Sequence, residues 1–371
     1  MKTMVFPLIA SLIFVFINLY SYKRFFKKIS IFSSEKWYVV VFMISVLEVF
    51  YFFNLRMQFL NQTVQNFAAL LIGISFIVFS YAVIYDGFYI FVKTIKLDVS
   101  RQKRIKSIFN ASFIILIFAS IVIGMINALH KPTIKNIDIT LPNLKENLTL
   151  VQISDIHIGD FLDSEFLKEV VDSINTLNPD IVVITGDLID IDPNLIEQKL
   201  SSLNDIKSKF GTYFVAGNHE YYMGIEKSLK NLGKLRLNIL ENKSFDVGGI
   251  NIVGVNDFSG YRYGFYEPDF NKAIKDINKQ KPTILLSHQP KIIEKLSDED
   301  LSKVDLVLCG HTHAGQIFPF GILVKIVHKY LYGMYQKNNT KIYVTSGTGF
   351  WGPPIRFLTS SEIVKFNLKG K

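Results

Sequence analysis

The sequence predicts a four-helix transmembrane region followed by a layered α/β domain, a two-sheet sandwich with flanking helices, and three observations predict it. Four long apolar stretches fill the first 130 of 371 residues. After Lys131-Pro132 the pattern changes to short apolar runs alternating with helical periodicity, and most of those runs end in a small cluster containing Asp, Asn or His. The boundary therefore falls near Lys131-Pro132, with a membrane domain over 1–130 and a second domain over 131–371.

The apolar stretches run over Met4–Tyr22, Trp37–Leu55, Phe67–Val92 and Ile108–Leu129, each long enough to cross a bilayer. The hydrophobic share of 49% is high for a wholly soluble chain. The first stretch differs from a cleaved signal peptide: only Lys2 precedes it, and it runs into Lys23-Arg24-Phe25-Phe26-Lys27-Lys28 with no small-residue cleavage pattern, so it is expected to stay as an anchor. Lys and Arg beside membrane crossings are retained on the cytoplasmic side. The first loop holds Lys23, Arg24, Lys27, Lys28 and Lys36, the third holds Lys93, Lys96, Arg101, Lys103, Arg104 and Lys106, and the second holds only Arg56. Loops one and three are accordingly expected inside. Both termini and residues 131–371 then lie outside, which in a bacterium makes a multi-pass inner-membrane protein with its second domain on the periplasmic face. Glu48 and Asp86 fall within the spans, where an ionisable group is costly. Asp86 lies near the end of its span and Glu48 is expected to face the bundle interior, so neither is assigned to transport.

The net charge of +9 is uneven. Residues 1–130 carry 13 Lys/Arg against 4 Asp/Glu, which leaves 28 of each for 131–371. The second domain is formally neutral, so the basic excess belongs to the bilayer and no nucleic-acid partner is expected. The single cysteine, Cys309, excludes an internal disulfide and thiolate clusters, and its apolar run Asp305–Cys309 marks it as a buried strand residue.

In the second domain, strand-like runs occupy Leu148–Ser154, Ile181–Thr185, Tyr213–Ala216, Thr283–Ser287, Asp305–Cys309 and Ile342–Thr345, and helical patterns occupy Phe161–Leu177 and Leu195–Lys209. Continuous apolar runs indicate strands covered on both faces. Sites in such sheets lie beyond the carboxyl ends of the strands. Five clusters sit there: Asp155-Ile156-His157, Gly186-Asp187, Gly217-Asn218-His219-Glu220, Ser287-His288 and Gly310-His311-Thr312-His313. In an extended segment, residues two apart point the same way, so Asp155 and His157 form half of a metal site and His311 and His313 repeat the spacing. Glycines before Asp187, Asn218 and His311 let the loop pass close to a bound ion or phosphate. Oxygen and imidazole donors from separate strands suit two borderline divalent cations, and paired cations clamp the attacking and leaving oxygens of a phosphoryl group. Each cluster alone is common; the ordered set is specific.

Over roughly residues 148–350 these clusters, in this order, resemble the calcineurin-like metallophosphoesterases, and most closely the membrane-associated bacterial members, which also carry a segment like Gly349-Phe350-Trp351-Gly352-Pro353-Pro354-Ile355-Arg356. The resemblance implies that Asp155, His157 and His313 hold one metal, that Asn218, His288 and His311 hold the other, and that Asp187 bridges them. His219 would be no ligand. It is placed to protonate the leaving oxygen opposite a bridging hydroxide, a contribution of about 10²- to 10⁴-fold. For Glu220 two assignments stand level, orienting that imidazole or lying on the surface. His130 and His328 stay outside the set. The two divalent ions are expected to be Mn, Fe or Zn.

The stretch Ile317–Tyr332, apolar with Lys325, His328 and Lys329, suits a membrane-facing lid or a core helix on the sheet equally. Arg356 and Trp351 are candidate substrate contacts, to a second phosphate and to a base or sugar, with ordinary packing as the alternative. The partners expected are the lipid bilayer and a phosphate-containing substrate, lipid-linked or of the cell envelope, cleaved as a phosphomonoester, phosphodiester or pyrophosphate. A cytoplasmic domain would instead favour a UDP-2,3-diacylglucosamine-type pyrophosphatase. A non-catalytic membrane sensor or scaffold and a transporter with an accessory domain are the alternatives of other classes.

Overall fold

The computed structural model describes residues 4–57, 59–94, 98–159 and 161–370. Lys2 and Lys96, and the side chains of Arg56 and Lys93, lie outside it. The chain divides into a helical unit, residues 1–129 with Gly352–Leu358, and a catalytic unit, His130–Trp351 with Thr359–Lys371.

The helical unit consists of α1 (Val5–Arg24), α2 (Trp37–Met57), α3 (Gln62–Thr94) and α4 (Val99–Leu129), each long and apolar enough to cross a membrane. The last two begin earlier than the hydropathy of their spans indicates. Asn61 accepts from the Val64 amide at 3.0 Å and Asp98 from the Arg101 amide at 2.8 Å, so each helix starts at its cap. The Arg and Lys residues of the first turns of α4 are good helix formers that hydropathy does not register. Asp86 is paired: Arg24 Nη2 lies 2.6 Å away, Lys28 Nζ 3.3 Å, and Tyr20 donates to it at 3.1 Å. Glu48 is fully buried and accepts from Asn18 at 2.5 Å, which also donates to Ser45 at 3.1 Å. The segment Gly352–Leu358 packs on α3 and α4. The Arg356 amide donates to the Gly124 carbonyl at 2.8 Å, and a Cβ on Gly124 would fall 2.6 Å from Ile355.

Two six-stranded sheets form the catalytic unit. The strands are β1 (Thr133–Leu141), β2 (Leu148–Ile153), β3 (Ile181–Thr185), β4 (Thr212–Val215), β5 (Asn238–Ile239), β6 (Lys243–Val247), β7 (Ile250–Gly254), β8 (Thr283–Leu286), β9 (Leu306–Cys309), β10 (Gly333–Lys337), β11 (Thr340–Val344) and β12 (Glu362–Gly370). The first sheet has the order β1-β12-β2-β3-β4-β5, with β2 to β5 parallel; the second has β10-β11-β9-β8-β7-β6, with β7, β8, β9 and β11 parallel. The parallel strands begin and end within a residue or two of the apolar runs. Their alternate residues build two cores: Leu150, Val183 and Val215 meet Ile252, Ile284, Leu286 and Leu308 between the sheets, while Leu285, Val307 and Cys309 pack on the outer face of the second sheet. Cys309 is therefore an apolar core residue whose thiol burial pushes up.

Helix α5 (Ser164–Thr176) starts at Asp163, which accepts from the Glu165 and Phe166 amides at 3.0 and 3.1 Å, so the expected helix is trimmed at its first turn. The helix expected over 195–209 is instead a chain of short turns, Pro193–Leu195, Ile196–Lys199 and Ser201–Asp205. Its Ser201, Ser202, Asn204 and Asp205 belong to residue types that compete with helix by bonding nearby backbone. Two further helices concern the site: α6 (Asn218–Met223) and α7 (Phe320–Val327).

Glu362 fastens β12 to the turn after β11. Its carboxylate is buried and accepts from Tyr343 at 2.8 Å, Thr345 at 2.8 Å, the Ser346 amide at 3.1 Å and Tyr332 at 3.0 Å. Glu362→Ala strands these donors, and thermal unfolding of the full chain in detergent is expected to show a loss of about 3 kcal/mol.

Candidate metal centre

The five polar clusters converge at the carboxyl ends of β2, β3, β4, β8 and β9. The convergence does not come from strand alternation. Asp155, His157, Asp187, His311 and His313 all have left-handed backbone, with φ of 52°, 53°, 51°, 76° and 49°. Asp and His tolerate that region better than most residues, yet each such position costs about 1–3 kcal/mol and persists only where its surroundings fix it. Backbone bonds between the loops supply the fixing: the Asp155 amide donates to the Gly186 carbonyl at 2.9 Å and the His157 amide to the Asp187 carbonyl at 3.1 Å. The glycines serve the same crowding. A Cβ on Gly217 would lie 2.2 Å from Asp187 Oδ1, and one on Gly310 2.0 Å from Ser154 Oγ and 2.3 Å from Asp155 Oδ2. The room they leave is filled by ligand side chains.

Three groups of donor atoms could hold a metal ion: Asp155, His157 and His313; Asp187, His288 and His311; and His157, Asp187 and His219. In the first, His157 Nε2 faces His313 Nε2 at 3.1 Å, and the latter lies 3.5 Å from Asp155 Oδ1. In the second, His288 Nε2 stands 3.1 Å from His311 Nδ1, 3.1 Å from Asn218 Oδ1 and 3.2 Å from Asp187 Oδ2. Asp187 Oδ2 also lies 3.8 Å from His157 Nε2, so this one carboxylate reaches both groups. Facing ring nitrogens at such separations cannot both carry protons. The electrostatics say the same: burial and the charge of His288 hold His311 well below the ordinary imidazole range, while against burial the charge of Asp187 lifts His288 well above it. Burial raises Asp155, whereas Asp187, despite burial, is held well below the carboxylate range by the charges of His288 and His219. Convergent imidazole, amide and carboxylate donors of this kind fit divalent cations.

The outer bonds set which nitrogen points inward. His288 Nδ1 lies 2.8 Å from the Thr185 carbonyl, so it donates there and leaves Nε2 free for the centre. Asp190 does this for two rings, lying 3.1 Å from His157 Nδ1 and also bonding His219 Nδ1. Burial would raise the Asp190 carboxyl, but His219 and His157 outweigh it and hold it low. Against burial, the charges of Asp190 and then Asp187 lift His219 to about 9. Asp190 was not among the residues the sequence singled out, because its partners His157 and His219 lie 33 and 29 residues away along the chain. Glu220 matches neither assignment given above. It is fully buried and accepts from the amides of Gly217 at 2.6 Å, Asp187 at 3.1 Å, Leu188 at 2.8 Å and Ile189 at 3.3 Å, tying the start of α6 to the Asp187 loop.

Around the centre, the Trp351 ring stands 6.0 Å from the His219 ring and Tyr222 5.1 Å. His328, left outside the ligand set, lies 5.1 Å from the His311 ring. Arg356 is fully buried and is grouped with the helical unit. Within the stretch 317–332, α7 contains no buried residue, whereas Ile317 before it and Tyr330 after it are buried.

The family model for the calcineurin-like phosphoesterase domain matches residues 148–315. A metallophosphoesterase of Campylobacter jejuni is 41% identical over 378 residues, covering 99% of this chain and 99% of its own. One from Helicobacter pylori strain 26695 is 42% identical over 299 residues, 80% of each chain. A transmembrane protein with a metallophosphoesterase domain from Danio rerio is 35% identical over 262 residues, 67% of this chain and 60% of its own. The chain is a member of the calcineurin-like metallophosphoesterases, a metal-dependent phosphoric ester hydrolase with membrane-length helices.

Proposed function

We propose that the chain is a membrane-anchored dinuclear phosphoesterase acting on a lipid-linked or cell-envelope substrate at the outer face of the inner membrane. The observation that carries the dinuclear centre is the sharing of Asp187 between two donor groups, 3.2 Å from His288 and 3.8 Å from His157. Asp155, His157 and His313 would hold one ion and Asn218, His288 and His311 the other, with Asp187 between them. Mn, or Fe with Zn, is the pair these donors suit. When bound, the pair supplies an activated water at neutral pH and neutralises charge on the phosphoryl oxygens.

His219 is the proton donor to the leaving oxygen. Its Nδ1 is bonded to Asp190, which orients the ring and keeps the proton on it, so Nε2 is the atom that delivers. Trp351 and Tyr222 border that ring and would flank the leaving group. The outer face follows from the Lys/Arg of loops one and three. A lipid-linked substrate follows from anchoring the centre to a membrane.

Asp187→Ala is expected to empty both metal positions and remove hydrolysis of bis-p-nitrophenyl phosphate by the purified chain with Mn²⁺, as elemental analysis and turnover together would report. His219→Ala should keep its metals and lose about 10²- to 10⁴-fold in kcat; full turnover would remove His219 from the mechanism. Because the donor form of His219 exists below its own pKa, which the Asp190 charge raises, kcat should fall as pH rises through that raised pKa. Asp190→Asn removes the charge that raises that pKa and should move the fall to lower pH. A reporter fused after the last residue should be active outside the cytoplasm; a cytoplasmic signal would direct the search to a nucleotide-linked lipid pyrophosphate.

A further inference from the structure

We infer that α7 is a bilayer-docking helix, with its apolar side chains among the lipid acyl chains and Lys325 and Lys329 at the phosphates of the headgroups. Seven of the eight residues of α7 are uncharged and none is buried. A helix apolar on every side is stable only when something other than water covers it. Phe318, Phe320, Ile322 and Leu323 are about half exposed, and Ile326 and Val327 are 76% exposed, a contiguous patch of the kind that marks an interaction surface.

Both ends of this segment are rooted at the metal centre. It follows His313 directly, and it ends at His328, whose ring lies 5.1 Å from that of His311; Thr312 then bonds the Leu331 carbonyl at 2.5 Å. Gln316, four residues before α7, exchanges two bonds with the Trp351 backbone, at 2.8 and 3.0 Å, and accepts from Thr359 at 2.6 Å. The seven residues between Trp351 and Thr359 belong to the helical unit. The base of α7 is thus fastened to Trp351 and Thr359, the residues on either side of the segment 352–358 in the sequence. Two lysines that complement lipid phosphates, beside an exposed apolar helix in a chain that carries four membrane-length helices, select a bilayer over a protein partner or a second copy. Docking there sets the mouth of the centre at headgroup level, which goes beyond the hydrolytic mechanism and does not depend on it.

The buried Cys309 makes the experiment simple, since a cysteine placed on α7 is the one accessible thiol. The full chain carrying Ile326→Cys, labelled with a nitroxide and reconstituted into phosphatidylglycerol/phosphatidylethanolamine bilayers, should be relaxed by dissolved oxygen more strongly than by a water-soluble nickel chelate. Ile322→Cys should behave alike, and Leu195→Cys, exposed elsewhere on the catalytic unit, should show the reverse order. Nickel accessibility at 322 and 326 equal to that at 195 would overturn the inference in favour of a helix open to water. Spin–spin broadening that grows with protein density would overturn it in favour of a second copy. Hydrolysis of p-nitrophenyl phosphate by the same samples reports on the metal centre separately, so failure of one conclusion is distinguishable from failure of the other.

Discussion

Negative and lone-pair-bearing atoms held 3.1 to 3.8 Å apart, in a buried pocket whose donor groups include no Lys or Arg among the described residues, are the constraint on which the catalytic unit rests. Such groups repel or compete for protons until a multiply charged cation takes their place. Against burial the charge of Asp187 favours the protonated form of His288, while burial and the charge of His288 disfavour it at His311. Binding free energy of metals is in this sense folding free energy. The five left-handed ligand residues add to the strain, and the parallel strands that all end at this edge are what hold them in place.

Two further carboxylates face away from the donor pocket and decide how it works. Glu220 takes four backbone amides and converts a glycine turn and a loop into one rigid piece, so the positions of Asn218 and Asp187 are set together. In the absence of metals, burial and the charge of Asp187 raise Glu220 to about 7; a divalent charge beside Asp187 removes the second of these. Asp190 couples a metal-group imidazole to the His219 imidazole through one side chain. The two rings are therefore not independent: a change of charge at either is felt at the other through one carboxylate.

The strands β2, β3, β4, β8, β9 and β11 were legible, and so were the polar clusters at the ends of five of them, because each follows from a local rule. An apolar run flanked by a helical pattern reads as a buried strand, and a polar cluster at its end reads as a site. Six strands escaped: β1, β5, β6, β10 and β12 have partly exposed or polar residues, β7 is a short buried run interrupted by Asn251, and the edge strands are placed by partners far along the chain, as where β12 pairs with β1 in parallel and β2 in antiparallel fashion. Asp190 and Glu220 were not readable as supports, since their partners are backbone amides and imidazoles brought near only by the fold. Spacing suggested that Asp155 and His157 point alike because the chain is extended; they converge because each turns through left-handed backbone.

Within that unit the same electrostatic logic governs orientation. Asp86 near the carboxyl end of α3 is bonded to Arg24 and Lys28 at and just beyond the carboxyl end of α1, so the loops that follow these two helices share one side of the bundle. Those are the loops rich in Lys and Arg. A chain that crosses four times leaves the end of α4 on the opposite side. Charge distribution in the loops and the ion-paired Asp86 are then two expressions of one constraint: an uncompensated charge stays out of hydrocarbon, and the basic residues that compensate Asp86 belong to a segment rich in Lys and Arg.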